Sequence, residues 1–189
     1  MPFVCTLLAL TARRPLARPA QPIISAAPPV TSSPAWLSVL DFGASPNTTD
    51  NTAAFNAALA EAAKQGGTTV LAPAGTYHFK GSLQIAPGVT LVGSYSSVPS
   101  HDLRGPTKVP DDGTVLVPTG GRGSEAGTAF VTVHANAVLA RVCIWYAEQE
   151  RTALPVAYPW TVMLDGANAA VTDVYAAAPS PDALAVCVR

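Results

Sequence analysis

Charge is scarce in this chain. Only 12% of its 189 residues are Asp, Glu, Lys or Arg, about half the usual share of roughly 25%. A formal net charge of −1 offers no footprint for nucleic acid, which needs Lys and Arg gathered on one face. Cysteine is rarer still: three residues, with no Cys-x-x-Cys and no Cys/His spacing suited to zinc. Cys143 and Cys187 lie in apolar stretches, "RVCIW" and "LAVCV", and are expected to be buried thiols acting as small hydrophobes; a disulfide between them stays open. Long apolar runs are missing as well. "FVCTLLALTA" spans ten residues, and no segment reaches the ~18 that a membrane helix needs. A membrane-spanning role is not expected. Neither His-Glu-x-x-His nor Gly-x-Ser-x-Gly occurs, so a zinc protease helix or a serine nucleophile elbow has no support. "GGRGSEAG" at 120–127 lacks the following Lys-Ser/Thr of a phosphate cradle.

What is present is unevenly distributed. Residues 1–40 hold Arg13, Arg14 and Arg18, no acid, and 7 of the 18 prolines; the other eight basic residues and all twelve acids follow. Residues 1–35 therefore read as a signal-like or disordered Pro/Arg-rich leader, with the folded domain occupying 36–189. The apolar run has the length of a signal-peptide core, although its arginines come after it rather than before. Secretion is the expected localisation. Asn47-Thr48-Thr49 is a glycosylation sequon, relevant to a eukaryotic secretory route.

From Asp50 the pattern becomes regular. Phe55, Ala58, Leu59 and Ala62 fall at i, i+3, i+4 and i+7, one apolar stripe on a helix predicted over 51–65. Asp50 is the expected N-cap, with Thr49 as the alternative, and Gly66-Gly67 supplies the stop. Beyond it the period changes to two, in short segments split by Pro and Gly: "TTVLAP", "GTYHFKG", "SLQIAPGVTLVGS", "GTVLVP". Two later stretches, 129–146 and 160–176, look like copies of one unit. Shifted by 32 residues, Ala135-Asn136-Ala137 overlies Ala167-Asn168-Ala169, Leu139 overlies Val171 and Val142 overlies Val174, with Val131 against Met163 and Thr132 against Leu164 in the flanks. "APGVTLVG" at 86–93 is a looser copy. Strand, turn and strand repeated in this way suit stacked β-coils. The first coil of such a stack exposes unpaired backbone groups and an open apolar core, and the helix is expected to cover both.

These same residues carry a resemblance. "VLDFGA" (Val39–Ala44), the Asp50–Leu59 helix, Gly66-Gly67, V-x-x-P-x-G-x-Y over Val70–Tyr77 and G-V-x-L-x-G over Gly88–Gly93 resemble the start of the pectate-lyase superfamily of right-handed parallel β-helix proteins. That group includes rhamnogalacturonase-, polygalacturonase- and epimerase-like members. The resemblance covers roughly residues 37–94. It implies an all-β, single-stranded right-handed parallel β-helix (a solenoid) with one N-terminal capping helix. It does not transfer a reaction type. The Gly-His-Gly and Arg-x-Lys motifs of the hydrolase-like branch do not occur.

Glycoside hydrolysis needs two carboxylates about 5–9.5 Å apart, and the chain offers twelve acids. Asp111-Asp112 reads as a turn before a strand, and neighbouring strand side chains point to opposite faces. Asp165 and Asp173 sit at turn positions, and His78, His101 and His134 are scattered. The richest segment is "WYAEQERTALPVAYPW", 145–160, expected to leave the stack as a loop. If extended, Glu148 and Glu150 share one face about 6.5–7 Å apart and are weak catalytic candidates. Tyr146, Tyr158 and Trp160 are candidate sugar-stacking residues, and Arg151 a candidate fork for a uronate carboxylate. The bland alternative is a surface loop whose aromatics pack back on the helix. No cofactor or metal is expected, except Ca²⁺ in the lyase branch.

"APSPDALAVCVR" breaks the repeat without an obvious terminal lid. Stacks need caps at both ends, so the expectation is a truncated β-helix, inactive by itself and open to self-association through its last coil. The expected function is a polysaccharide (pectin-like) hydrolase or lyase; the alternative is a non-catalytic glycan-binding or structural module of the adhesin or tailspike kind.

Overall fold

The computed structural model describes residues 36–95, 113–149, 154 and 156–177. Its elements run β1 (Leu37–Ser38), a 3-10 turn (Val39–Phe42), α1 (Thr52–Lys64), β2 (Thr69–Leu71), β3 (Gly75–Phe79), β4 (Leu83–Ile85), β5 (Thr90–Val92), β6 (Thr114–Pro118), β7 (Val131–His134), β8 (Val138–Ala140), β9 (Cys143–Trp145), β10 (Val162–Asp165), β11 (Ala170–Thr172) and β12 (Tyr175–Ala177). They form three sheets. Sheet A has the order β1-β2-β5-β8-β11, sheet B is β3-β6-β9-β12, and sheet C is β4-β7-β10. From β2 onward the chain visits A, B and C in turn and returns one rung further along, and every pairing is parallel.

This winding explains the short strands. Rungs about 4.8 Å apart stack like on like. Val70, Leu91 and Leu139 are in register inside sheet A, Tyr77, Leu116 and Ile144 inside sheet B, and Leu83, Val131 and Val162 inside sheet C. All are buried in one core. Strands β6 and β9 are buried throughout, because Tyr95, Val115, Val117, Cys143 and Trp145 make a second apolar cluster. A parallel strand covered on both faces reads as a continuous apolar run rather than an alternation, as "TVLVP" and "CIW" do. Cys187 lies outside the described residues.

Helix α1 closes the first coil. Phe55, Ala58, Leu59 and Ala62 are all buried. Phe55 meets Tyr77 and Phe79 edge-on at ring-centroid distances of 5.2 and 4.9 Å, and Phe79 meets Phe130 at 5.4 Å. The stripe is only half of the closure. β3 and β4 lie at the edges of their sheets, and side chains at and beside the helix start take the place of a missing rung. Asn56 accepts from the Gln84 N–H at 3.1 Å and donates to the Ser82 carbonyl at 2.9 Å. The Thr52 hydroxyl accepts from the Gly81 N–H at 3.0 Å, and the Asp50 carboxylate from the Lys80 N–H at 3.2 Å. Asn51 N–H donates to the His78 carbonyl at 2.8 Å.

Two expectations need correction. The helix begins at Thr52 with Asn51 at the capping position, one residue beyond the expected cap. Asp50 still accepts from the Thr52 N–H and hydroxyl, at 3.0 and 2.6 Å, while the Asn51 side chain is drawn back to accept from the Ser45 N–H at 2.8 Å. The 32-residue shift also fails in part. It holds where Leu139 pairs with Val171 and Cys143 with Tyr175, but in sheet C Val131 pairs with Val162 and Thr132 with Met163, a shift of 31. The extra residue is Gly166, between β10 and β11, where a Cβ would lie 2.9 Å from the Ala135 nitrogen.

The corner between sheets C and A keeps one conformation in every rung. Gly88, Asn136 and Asn168 occupy it with φ of 75, 57 and 58°, and Gly67, between α1 and β2, takes the equivalent place with φ 90°. Asn168 donates to the Asn136 side chain at 3.0 Å. Asparagine tolerates this left-handed region where most residues do not. At Gly67 the backbone itself comes too near for a side chain: a Cβ would lie 2.6 Å from the Gly88 oxygen.

Candidate functional site

The corners between sheets B and C enclose a groove of about 220 Å³. One wall is Lys80, Gly81 and Ser82, between β3 and β4. The other is built from the loop between β6 and β7, closed by Tyr146, Tyr158 and Pro159 from the segment between β9 and β10. Those two loops clasp each other. Gly123 N–H donates to the Ala157 carbonyl at 2.8 Å, and a Cβ on Gly121 would meet Pro159 at 2.7 Å. Arg122 donates to the Glu148 carboxylate, which also accepts from the Tyr158 hydroxyl at 3.4 Å.

The tyrosines differ in environment. Tyr146 directly follows β9 and is buried, its hydroxyl donating to Thr161 Oγ1 at 3.0 Å. Burial raises its pKa, and the Thr161 bond partly offsets this. Tyr158 packs edge-on against it, with ring centroids 4.9 Å apart, and is half-buried. Its pKa is pushed up to about 12, first by burial and then by the charge and hydrogen bond of Glu148. A phenol held neutral and firmly seated has a flat apolar face and a polar tip.

Several expected site residues are displaced. Tyr146 is a core residue rather than an exposed platform, because the 145–160 segment stays on the stack through Trp145 and Tyr146 and only then departs. Tyr146 and Tyr158 pack into the main apolar core and on each other. Trp160 is 43% exposed and is not part of the groove lining; its carbonyl accepts from the Phe130 N–H at 2.9 Å. Glu148 is occupied by Arg122 and Tyr158. Glu150, Arg151, Asp111 and Asp112 lie outside the described residues, so no carboxylate pair is formed among those described. Nor do the described residues fit Ca²⁺, which takes six to eight oxygens: no second acid stands beside Glu148, and no three His, Cys, Asp or Glu side chains converge among them.

Two contributors were missed. Lys80 is read in the sequence only as the end of a strand, and it lines the groove. On the outer face of sheet C, His134 stands 3.1 Å from the Asp165 carboxylate through Nδ1 and 3.2 Å from the Gln84 amide oxygen through Nε2. The Gln84 amide nitrogen in turn donates to Thr132 at 3.4 Å. These four side chains tie three successive rungs together. They became neighbours through register alone.

Comparison with known proteins adds the following. Residues 36–163 match the family described as rhamnogalacturonase A/epimerase, pectate lyase-like. No curated protein matches the chain. Among solved structures, the A-module of the mannuronan C-5 epimerase AlgE6 from Azotobacter vinelandii is similar with a TM-score of 0.43 and 19% identity, over 75% of this chain and 41% of that one. The chain thus spans less than half the length of that structure.

Proposed function

Because the chain belongs to the rhamnogalacturonase A/epimerase, pectate lyase-like family, we propose that it is a secreted, carbohydrate-active right-handed parallel β-helix that binds a pectin-like polysaccharide in the groove between sheets B and C. Residues 1–35 serve as its leader, and 36–189 carry the β-helix. The supporting observation is the groove itself, with its tyrosine pair braced by Glu148 and Arg122. A sugar ring laid on Tyr158 gains apolar contact with one face while its hydroxyls reach Thr128 beside it and Gly81 and Ser82 of the opposite wall. Hydrolysis or β-elimination of the bound chain would follow from carboxylates or bases brought to its exposed side, with Glu150 as a candidate carboxylate and Arg151 as a candidate fork for a uronate carboxylate.

A second reading is favoured by one specific feature. Glu148, the acid that braces Tyr158, already holds a guanidinium and a phenol, which suits a non-catalytic glycan-binding module.

Titration calorimetry with oligogalacturonides tests binding. Tyr158→Ala is expected to weaken it about 2–10-fold, the range for losing one aromatic contact. Absence of binding by the native chain, or unchanged affinity in the variant, would reject the groove. Release of reducing ends or of an ultraviolet-absorbing unsaturated product separates hydrolase from lyase, and binding with neither product identifies the non-catalytic module.

A further inference from the structure

Resting on the groove reading above, we infer that Lys80 sets the specificity of the groove for an anionic sugar unit over its neutral counterpart. Lys80 is the one charged residue among those lining the groove. Arg122, on the far wall, is committed to Glu148. No carboxylate lines the space, so an incoming ring meets a single ammonium against a neutral lining of glycine, proline, hydroxyl and aromatic groups.

The backbone of Lys80 is fixed from two sides. Its N–H donates to Asp50 at 3.2 Å. Its carbonyl packs so closely on Gly120 that a Cβ there would lie 2.1 Å away. The side chain therefore starts from a set position at the groove, and its four-carbon stem brings a compact point charge with three donors to whatever binds. Asp50 is near enough for Lys80 to help lower its pKa, behind the larger effect of the Thr52 hydrogen bonds. Asp50 itself is held at the helix start and does not line the groove. The Lys80 side chain is exposed, and an anion entering the groove competes with Asp50 for its charge.

The chemistry it recognises is an anion carried on a pyranose ring, either a carboxylate or a sulfate ester. Methyl esterification of a uronate keeps the ring and removes the charge, so a Lys80-dependent groove must distinguish the two.

The test compares native protein, Lys80→Gln and Lys80→Arg by calorimetry at low and physiological ionic strength. The ligands are an oligogalacturonide, its methyl-esterified form and a sulfated neutral oligosaccharide of equal length. The native chain is expected to bind the acid about 5–10-fold more tightly than the ester, the span for one charge-assisted hydrogen bond near a surface, with the ratio shrinking in salt. Lys80→Gln should bring that ratio close to one, and Lys80→Arg should keep it. Sulfated ligand binding as tightly as the uronate marks a general anion reader; weaker binding marks a carboxylate reader. Equal native affinity for acid and ester, or an undiminished ratio in Lys80→Gln, overturns the role of Lys80 while leaving the groove standing, provided Tyr158→Ala still weakens both ligands. Failure of the native chain to bind any of the three overturns the groove as well. Because the backbone rather than the side chain of Lys80 bonds to Asp50, the variants should melt like the native protein.

Discussion

Asn56 offers the sharpest test of how the stack is closed. It lies on α1 beside the apolar stripe, and its amide makes the two bonds that a neighbouring strand would make to β4: one from the Gln84 N–H, one to the Ser82 carbonyl. Replacing Asn56 with Ala removes both. Each intramolecular hydrogen bond contributes about 1 kcal/mol net, so the loss is about 2 kcal/mol. Alanine is the better helix former by about 0.6 kcal/mol, which opposes it. The balance is a destabilisation of about 1–1.5 kcal/mol, or about 2–6 °C in Tm for a chain of this size. Urea and thermal unfolding measure the total, and amide exchange locates it: the Gln84 N–H should lose protection while interior amides such as Leu91 keep theirs. A variant as stable as the native protein, or unchanged exchange at Gln84, would show that the helix acts only as an oily plug and that its polar side chains contribute nothing.

Three further outcomes follow from particular side chains. Tyr158→Phe should abolish a phenol titration near pH 12. Because its folded pKa lies above the ordinary phenol value of about 10, the associated stability is complete below about pH 10 and is lost as pH rises toward 12; burial also raises Tyr77, Tyr146 and Tyr175, so denaturation of the variant across that window should show a smaller loss than the native protein. Asp50 runs the other way. Its pKa is lowered from 3.8, chiefly by the Thr52 hydrogen bonds, so its contribution is present above that value and lost as pH falls below it; Asp50→Asn should flatten the acid limb of the stability curve. Finally, Gly67→Ala should cost about 2–4 kcal/mol, combining a left-handed backbone with a collision against Gly88, whereas Gly43→Ala, left-handed but with open space around it, should cost only about 1–2 kcal/mol. Equal Tm losses would remove the collision from the explanation.

The capping helix and the coil corners were legible in the sequence because each rests on local chemistry. The Phe55 stripe has a helical period, and Gly66-Gly67 stops it. The recurring corner residue is Gly88, then Asn136, then Asn168, all residues that accept a positive φ. The polar half of the closure was not legible, since Asn56 looks like any solvated helix residue until β4 is laid beside it. Nor was the burial of Tyr146. An aromatic after "CIW" can end a strand or begin a loop, and only the Thr161 hydroxyl waiting for its phenol decides between them.

The site was harder to read for a reason that the register makes plain. Its parts come from corners far apart in sequence, and corners are where a wound chain varies its length. Extending the 32-residue period of the Asn136–Asn168 corner along the chain sets His134 opposite Gly166. In sheet C the partner is Asp165, because Gly166 is inserted just afterwards. One residue of slip turns every side chain to the other face of its sheet, so the constant period hides the His134–Asp165 pair altogether. Lys80 was hidden in the same manner: its place beside Gly120 and Tyr158 depends on corners of different lengths, not on any motif around it. Where rungs stack in parallel, the chemically interesting neighbours lie one rung away, and finding them requires the period to be measured separately for each sheet.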